Sequence, residues 1–199
     1  IYKRKYVMSI EMPKAVKEVY KVLENYDLHK SIIQLDNTAR SAADASKALD
    51  APLGSIVKSL IFIKTKKLIE KPIMVLLSGD RKGDEKNISA QTKLKGMIVR
   101  PSAEFVKNYT GFSIGGVSPV LILEKKMPIL IDDQLKRFEN LWASAGHTHW
   151  VFSISFNELI RITNGKDCRR IFLSNLSYRV DVKFIFFFIT IAKNRTTSN

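Results

Sequence analysis

Two glycines and a lysine are the residues best placed to do chemistry in this chain. Gly115 and Gly116 lie in Gly111-Phe112-Ser113-Ile114-Gly115-Gly116-Val117-Ser118-Pro119. Glycine adopts positive φ without steric cost and lets a second molecule approach the main chain. Proline fixes the exit and keeps Ser118 out of the helical region. Such a loop can turn its N–H groups on a carboxyl, ester or phosphate oxygen, as an oxyanion hole or anion nest does. A plain turn is the commoner use of a Gly-Gly pair. The lysine is Lys58, in Gly54-Ser55-Ile56-Val57-Lys58-Ser59-Leu60-Ile61-Phe62-Ile63. A lysine at the edge of an apolar run either snorkels to solvent or holds its ammonium in a cleft, as charge stabiliser or perturbed base. Local chemistry favours the first, the commoner outcome.

Other chemistry is sparse. His147 and His149 sit two apart in Gly146-His147-Thr148-His149, and His29 is distant. A zinc-type site needs three or four ligands, so no metal is expected, and no cofactor. Asp80 and Arg81 suggest a loop ion pair or an RNA contact. The adjacent acids Asp132 and Asp133 fit the positive end of a helix better than a catalytic carboxylate pair. Ser118 and Ser144 have no evident His-Asp relay, which argues against a nucleophilic triad. The single Cys168 rules out an internal disulfide framework and fits a reducing, cytoplasmic setting.

The elements that must position these residues alternate along the chain. Val16, Val19, Tyr20 and Leu23 recur at helical spacing between Pro13 and Tyr26, with Pro13 suited to the first turn. Ser41 to Asp44 reads as a capping box opening a short Ala-rich helix that ends near Leu49. Ile56 to Lys64 and Ile73 to Ser78 read as strands joined by a Lys-rich hairpin. Asp84 to Leu94 is predicted helical, Met97 to Arg100 a short strand, and Ser102 the cap of a helix from Ala103 to Tyr109. Strands follow at Pro128 to Asp132, Leu141 to Ser144 and Trp150 to Ile154. Ser155-Phe156-Asn157-Glu158 is a second capping box, and Gly165 reads as the stop of its helix. Interspersed strands and helices predict an α/β fold of the mixed α+β kind.

Length and charge bound the rest. A chain of 199 residues with 45% hydrophobic content can bury one sizeable core, so one domain is expected. Its formal net charge of +14 implies attraction to a polyanion, nucleic acid first and an acidic membrane surface second. Lys3, Arg4 and Lys5 precede Met8, which reads as the natural start, and Arg179, Lys183, Lys193 and Arg195 belong to a C-terminal tail. The middle remains basic, with Lys64, Lys66, Lys67, Lys71, Arg81, Lys82, Lys86, Lys93 and Lys95. The apolar run from Phe184 to Ala192 is shorter than the roughly 20 residues that span a bilayer, so no stable membrane association is expected.

Five motifs in order carry a family resemblance. They are Thr38-Ala39-Arg40-Ser41-Ala42-Ala43-Asp44-Ala45, Ile56-Val57-Lys58-Ser59-Leu60, Leu77-Ser78-Gly79-Asp80-Arg81, the Gly-Gly-Val-Ser-Pro loop, and Trp142-Ala143-Ser144-Ala145-Gly146. In this order and spacing the chain resembles the YbaK/ProX (EbsC) group of trans-editing aminoacyl-tRNA deacylases, related to the editing domain of prolyl-tRNA synthetases. The resemblance spans residues 9–170, leaving an N-terminal extension at 1–8 and a tail at 171–199. It implies a single domain with a mixed, mainly antiparallel sheet or barrel-like core surrounded by helices. It also implies hydrolysis of the ester joining a wrong small amino acid (Ala, Ser, Thr or Cys) to tRNA. Lys58 matches the family's key lysine, with Gly115 and Gly116 holding the ester carbonyl. Ser59, Val117, Ser118, Pro119, Ser144 and Gly146 are then candidates for the substrate pocket. Water or a substrate hydroxyl makes the attack, so neither a protein nucleophile nor a metal is required. Mischarged tRNA is the implied partner, with a synthetase such as prolyl-tRNA synthetase as a second. In the cysteine-specific branch an aspartate falls near Val151 and a tyrosine near Leu35; both departures here favour alanine, serine or threonine. The alternative is a tRNA-binding or synthetase-associated module without hydrolytic activity.

Overall fold

The computed structural model describes residues 11–36, 39–66, 69–92, 97–120, 127–169 and 171. The extension at 1–8 and, Ile171 apart, the tail at 171–199 lie outside the described residues, as do Thr38, Lys67, Lys93 and Lys95. Helix α1 (Lys14–Glu24) starts after Pro13 and buries Val16, Val19 and Leu23, the apolar stripe expected from their spacing. A short strand β1 (Ile32–Gln34) follows a 3-10 turn at His29–Ser31. Neither was expected, because three residues are too few to show a period. Helix α2 (Ala42–Leu49) opens on the predicted capping box: the Asp44 N–H donates to Ser41 Oγ, and the Ser41 N–H donates to the Asp44 carboxylate, each at 3.1 Å.

The long hairpin β2 (Val57–Lys66) and β3 (Ile69–Ser78) pairs antiparallel over its full length, Val57 opposite Ser78. Helix α3 (Glu85–Gln91) ends at Gln91, short of Leu94, where a non-helical Thr92 donates its N–H to the Ser89 carbonyl. Strand β4 (Met97–Val99), helix α4 (Ala103–Thr110, capped by Ser102) and strand β5 (Ile129–Asp132) follow. Strand β6 (Leu141–His147) extends three residues beyond the predicted Ser144, and β7 (Trp150–Ile154) matches its prediction. Helix α5 (Phe156–Thr163) carries the second capping box. Its stop is Asn164 at φ 48 rather than Gly165: a short polar side chain tolerates the left-handed region, so the asparagine takes the cap. Strand β8 (Lys166–Cys168) was not anticipated; two of its three residues are exposed and polar.

The strands form two sheets, of order β1-β7-β6 and β4-β2-β3-β5-β8. The fold is the predicted mixed α/β arrangement. Among the described residues no closed barrel forms; instead a parallel bridge between Ile56 and Trp142 joins the two sheets. Strand β3 explains how the larger sheet is covered. Ile73, Met74, Val75, Leu76 and Leu77 are all fully buried. Met74 and Leu76 face a core shared with Val57, Ile61, Ala143, Phe152 and α1. Ile73, Val75 and Leu77 face a second cluster with Phe62, Ile88 and Cys168. A continuous apolar run buried on both faces is what a central strand requires. Burial pushes the Cys168 thiol above its ordinary pKa, consistent with an inert buried thiol.

Candidate active site

A cavity of about 390 Å³ opens where the two sheets meet. This lies within the roughly 300–1,000 Å³ of small-molecule sites. Its walls include Val57, Lys58, Ser59 and Ile61 of β2, Ala143, Ser144 and His147 of β6, and Ile114, Gly115 and Val117 of the glycine loop. Arg40 and Ser41, ahead of α2, and Arg100, after β4, complete the lining. Residues far apart in sequence therefore share one space. Lys58, Ser59, Gly115, Val117 and Ser144 line it; Gly116, Ser118, Pro119 and Gly146 do not.

The residues behind the wall have structural work. Ser113 to Gly116 is a tight turn in which the Gly116 N–H donates to the Ser113 carbonyl at 2.9 Å. Gly115 sits at φ +88, the left-handed region that glycine occupies freely. The Gly116 amide is thus consumed by its own turn. The N–H groups of Gly115 and Val117 have no partner among the described residues, and they replace it as the amides the loop can offer. Gly116 instead permits contact: a Cβ there would lie 3.1 Å from the His147 Cα. Ser118 is fully buried, and its hydroxyl accepts the Val120 N–H at 3.2 Å, which locks the exit of the loop beside the buried Pro119.

Gly146 acts through strand geometry. The pairing of β6 with β7 shifts register between Ser144 and His147, and Gly146 lies in that bulge at φ +93. In a regular strand residues three apart point to opposite faces. The bulge lets Ser144 and His147 line the same cavity. Ser144 Oγ accepts the Gly146 N–H at 3.2 Å, leaving its proton free to donate. His147, considered from sequence only as a metal ligand, is a wall residue whose Nδ1 accepts the His149 N–H at 3.2 Å. Burial, then the neighbouring His149, pushes its pKa below the ordinary 6.5, so the imidazole is neutral at neutral pH. Among the described residues no group of three or more His, Cys, Asp or Glu side chains converges as a metal-ligand set.

The Lys58 ammonium is tied to main-chain carbonyls instead of reaching freely into solvent. It is half-buried and donates to the main-chain carbonyls of Gly79, at 3.1 Å, and Arg81. An ammonium has three donors, so one is left for a ligand of the cavity. Burial pushes the Lys58 pKa below its ordinary 10.5, while Asp80 and Asp132 oppose that fall. Asp132 is fully buried at the entry to a 3-10 turn (Asp133–Arg137), where it accepts the Gln134 N–H at 3.1 Å and the Ser78 N–H at 3.3 Å. Burial pushes its pKa upward. Asp80 forms the expected ion pair with Arg81, whose Nε is 3.8 Å away, and takes a shorter two-pronged contact from Arg137 at 2.9 and 3.0 Å. That partner lies 57 residues on, and no local motif announces it.

The cavity also holds an unsatisfied hydroxyl. Ser59 Oγ is buried and has no hydrogen-bond partner among the described residues, in a cavity whose lining also includes the apolar Val57, Ile61, Val106 and Val117. With Gly115, Val117 and Lys58 also in its lining, this is a small, mainly apolar space bordered by a few donor-bearing residues. Such an arrangement can hold an acyl ester by its carbonyl and stabilise negative charge on that oxygen.

Comparison with known proteins bears on the family and the fold. Residues 36–162 match the aminoacyl-tRNA editing domain family. No curated protein matches the sequence. Among solved structures, a candidate trans-editing enzyme for prolyl tRNA synthetase superposes with a TM-score of 0.73 at 26% identity, over 83% of this chain and 100% of that one. An epitope-bearing scaffold from computational design (TM-score 0.72, 23% identity, 82% of this chain and 99% of that one) shares the fold. So does a hypothetical protein (TM-score 0.69, 20% identity, 78% and 99%). With its fold and most of its length in agreement, the chain belongs to the aminoacyl-tRNA editing domain family and is an aminoacyl-tRNA deacylase.

Proposed function

We propose that this deacylase acts in trans on tRNA charged with a wrong small amino acid, and that Lys58 and the glycine loop bind the ester. The observation that carries this reading is that Lys58 lines one cavity together with Gly115 and Val117, whose amides have no partner among the described residues. The ester carbonyl lies against the two amides, and the remaining Lys58 donor takes the terminal adenosine or an ester oxygen. Water, positioned by a ribose hydroxyl of the substrate, adds to the carbonyl carbon and gives up a proton. The acyl C–O bond then breaks, and the ribose oxygen leaves with a proton. Charge on the carbonyl oxygen develops only in that step, so donors already in place favour the transition state over the bound ester.

Two departures from the cysteine-specific branch favour alanine, serine or threonine ahead of cysteine. Leu35 and Val151, which replace the tyrosine and aspartate of the cysteine-specific branch, share one apolar cluster with Ala39, Ala45, Leu49 and Ile56. A small pocket separates side chains differing by one methyl group by only about 1–3 kcal/mol, so activity on several of these residues is expected. The chain works in the cytoplasm alongside a synthetase, of which a prolyl-tRNA synthetase is the first to test. The experiment is deacylation of tRNAs charged with Ala, Ser, Thr and Cys, with and without that synthetase. Release of Ala, Ser or Thr ahead of Cys is expected. A clear preference for Cys-tRNA would overturn the assignment, and tRNA binding without ester loss from any member would favour a non-catalytic module.

A further inference from the structure

Three turns meet behind Lys58, and glycine is what lets them approach. A Cβ on Gly79 would lie 2.1 Å from the Leu53 carbonyl oxygen, and one on Gly54 would lie 2.5 Å from the Phe138 ring. The junction is tied by Arg137. Its guanidinium donates to both oxygens of Asp80, at 2.9 and 3.0 Å, to Ser78 Oγ at 2.8 Å, and through Nε to the Gln134 carbonyl at 2.8 Å. The same group lies over the Phe138 ring, 4.9 Å from its centroid. Ser78 Oγ in turn is 2.6 Å from the Gly54 carbonyl and 2.7 Å from Asp80 Oδ1. Asp80 therefore has its carboxylate fixed, and the turn that carries it supplies both carbonyls, of Gly79 and Arg81, that hold the Lys58 ammonium.

We propose that Arg137 is a positioning residue for deacylation, acting through Asp80 and the Ser78–Arg81 turn to hold Lys58 in place. The proposal rests on Lys58 contacting the substrate. Arg137 itself does not line the cavity. Its planar fork meets the Asp80 carboxylate at two points, so it restrains direction as well as distance; a lysine in its place keeps the charge and loses that restraint. Asp80 has a second effect. Of the charges that face Lys58, Asp80 and Asp132 favour the ammonium, whereas Arg100 and Lys82 oppose it. Loosening Asp80 both frees the turn and weakens the field that keeps Lys58 charged.

The test compares Arg137→Lys, Arg137→Ala and Asp80→Asn with Lys136→Ala. Lys136 is adjacent on the same turn and pairs with Asp167 instead, so it serves as a control for the loss of an exposed cation. Deacylation by the Arg137 and Asp80 variants should show kcat reduced on the order of 10- to 100-fold, as for a misplaced catalytic group, with KM little changed. Lys136→Ala should match the wild type. The side-chain 15N resonance of Lys58, identified by its loss in Lys58→Arg, provides a readout independent of activity. In Asp80→Asn its titration should move to lower pH, and amine protons should exchange faster in both Arg137 variants. Unchanged Lys58 titration and exchange in variants that remain folded by thermal melting would overturn the proposal. A displaced Lys58 resonance with undiminished deacylation would overturn its catalytic half and, separately, the role given to Lys58 itself.

Discussion

At the scale of single residues, the account depends on where one ammonium finds its acceptors. The apolar run around Lys58 marks it as an edge lysine and favours a solvent-directed side chain; its actual acceptors are not visible locally because Gly79 and Arg81 lie 21 and 23 residues away. The glycine loop was partly legible. Gly115 has the positive φ that its type suggests, whereas Gly116 serves close packing and yields no free amide, since a turn consumes the fourth N–H of its own ring. His147 was missed as a wall residue because its place depends on a bulge that no pattern of residue types displays. A pH dependence follows from Lys58. Burial lowers its pKa below 10.5, so the ammonium is present below that lowered value and is lost as pH rises through it. After subtraction of spontaneous ester hydrolysis, the deacylation rate should therefore fall on the alkaline side before an ordinary lysine titrates. A rate constant through that range, measured by pH-jump sampling of charged tRNA, would remove the ammonium from the mechanism.

At the scale of elements, the caps were legible and the shortest strands were not. Ser41 with Asp44 and Ser155 with Glu158 are local devices, complete within four residues, and both helices start where the devices place them. Strands β1 and β8 are three residues each and owe their existence to partners, Phe152 and Val151 for the first and Leu130 to Asp132 for the second. Ser155→Ala should lower stability by about 1 kcal/mol, measured by urea unfolding at neutral pH. The Ser155 hydroxyl holds the Glu158 pKa below 4.5, so that contribution is present above 4.5 and fades as pH falls through the lowered value. The difference between variant and wild type should therefore shrink in acid. Gly146→Ala tests the bulge. A Cβ there meets the Phe112 ring at 2.8 Å and must adopt φ +93, a strain of about 1–3 kcal/mol. Its melting temperature should drop, and relief of the bulge should turn Ser144 and His147 to opposite faces, with deacylation falling further than the stability loss accounts for.

At the scale of the whole molecule, two sheets bridged at Ile56 and Trp142 create the cavity, and a formal net charge of +14 favours approach of a polyanion. The mixed α/β class was legible from the alternation of periods, but the division into two sheets was not, because it is decided by pairings between distant strands such as β1 with β7. Arg40 and Arg100 line the cavity and are exposed, so they are available to phosphates of the tRNA end. The KM for charged tRNA should rise with salt, roughly as a power of its concentration, while kcat changes little. A KM independent of salt between low and physiological ionic strength would indicate that the basic surface takes no part in binding. The most direct test of the central claim is single-turnover release of labelled amino acid from Ala-, Ser- and Thr-charged tRNA by the wild type and Lys58→Ala at neutral pH. The account predicts rapid release by the wild type and a rate lower by on the order of 100-fold or more in the variant, with its fold intact by thermal melting. Equal rates for the two proteins would contradict it.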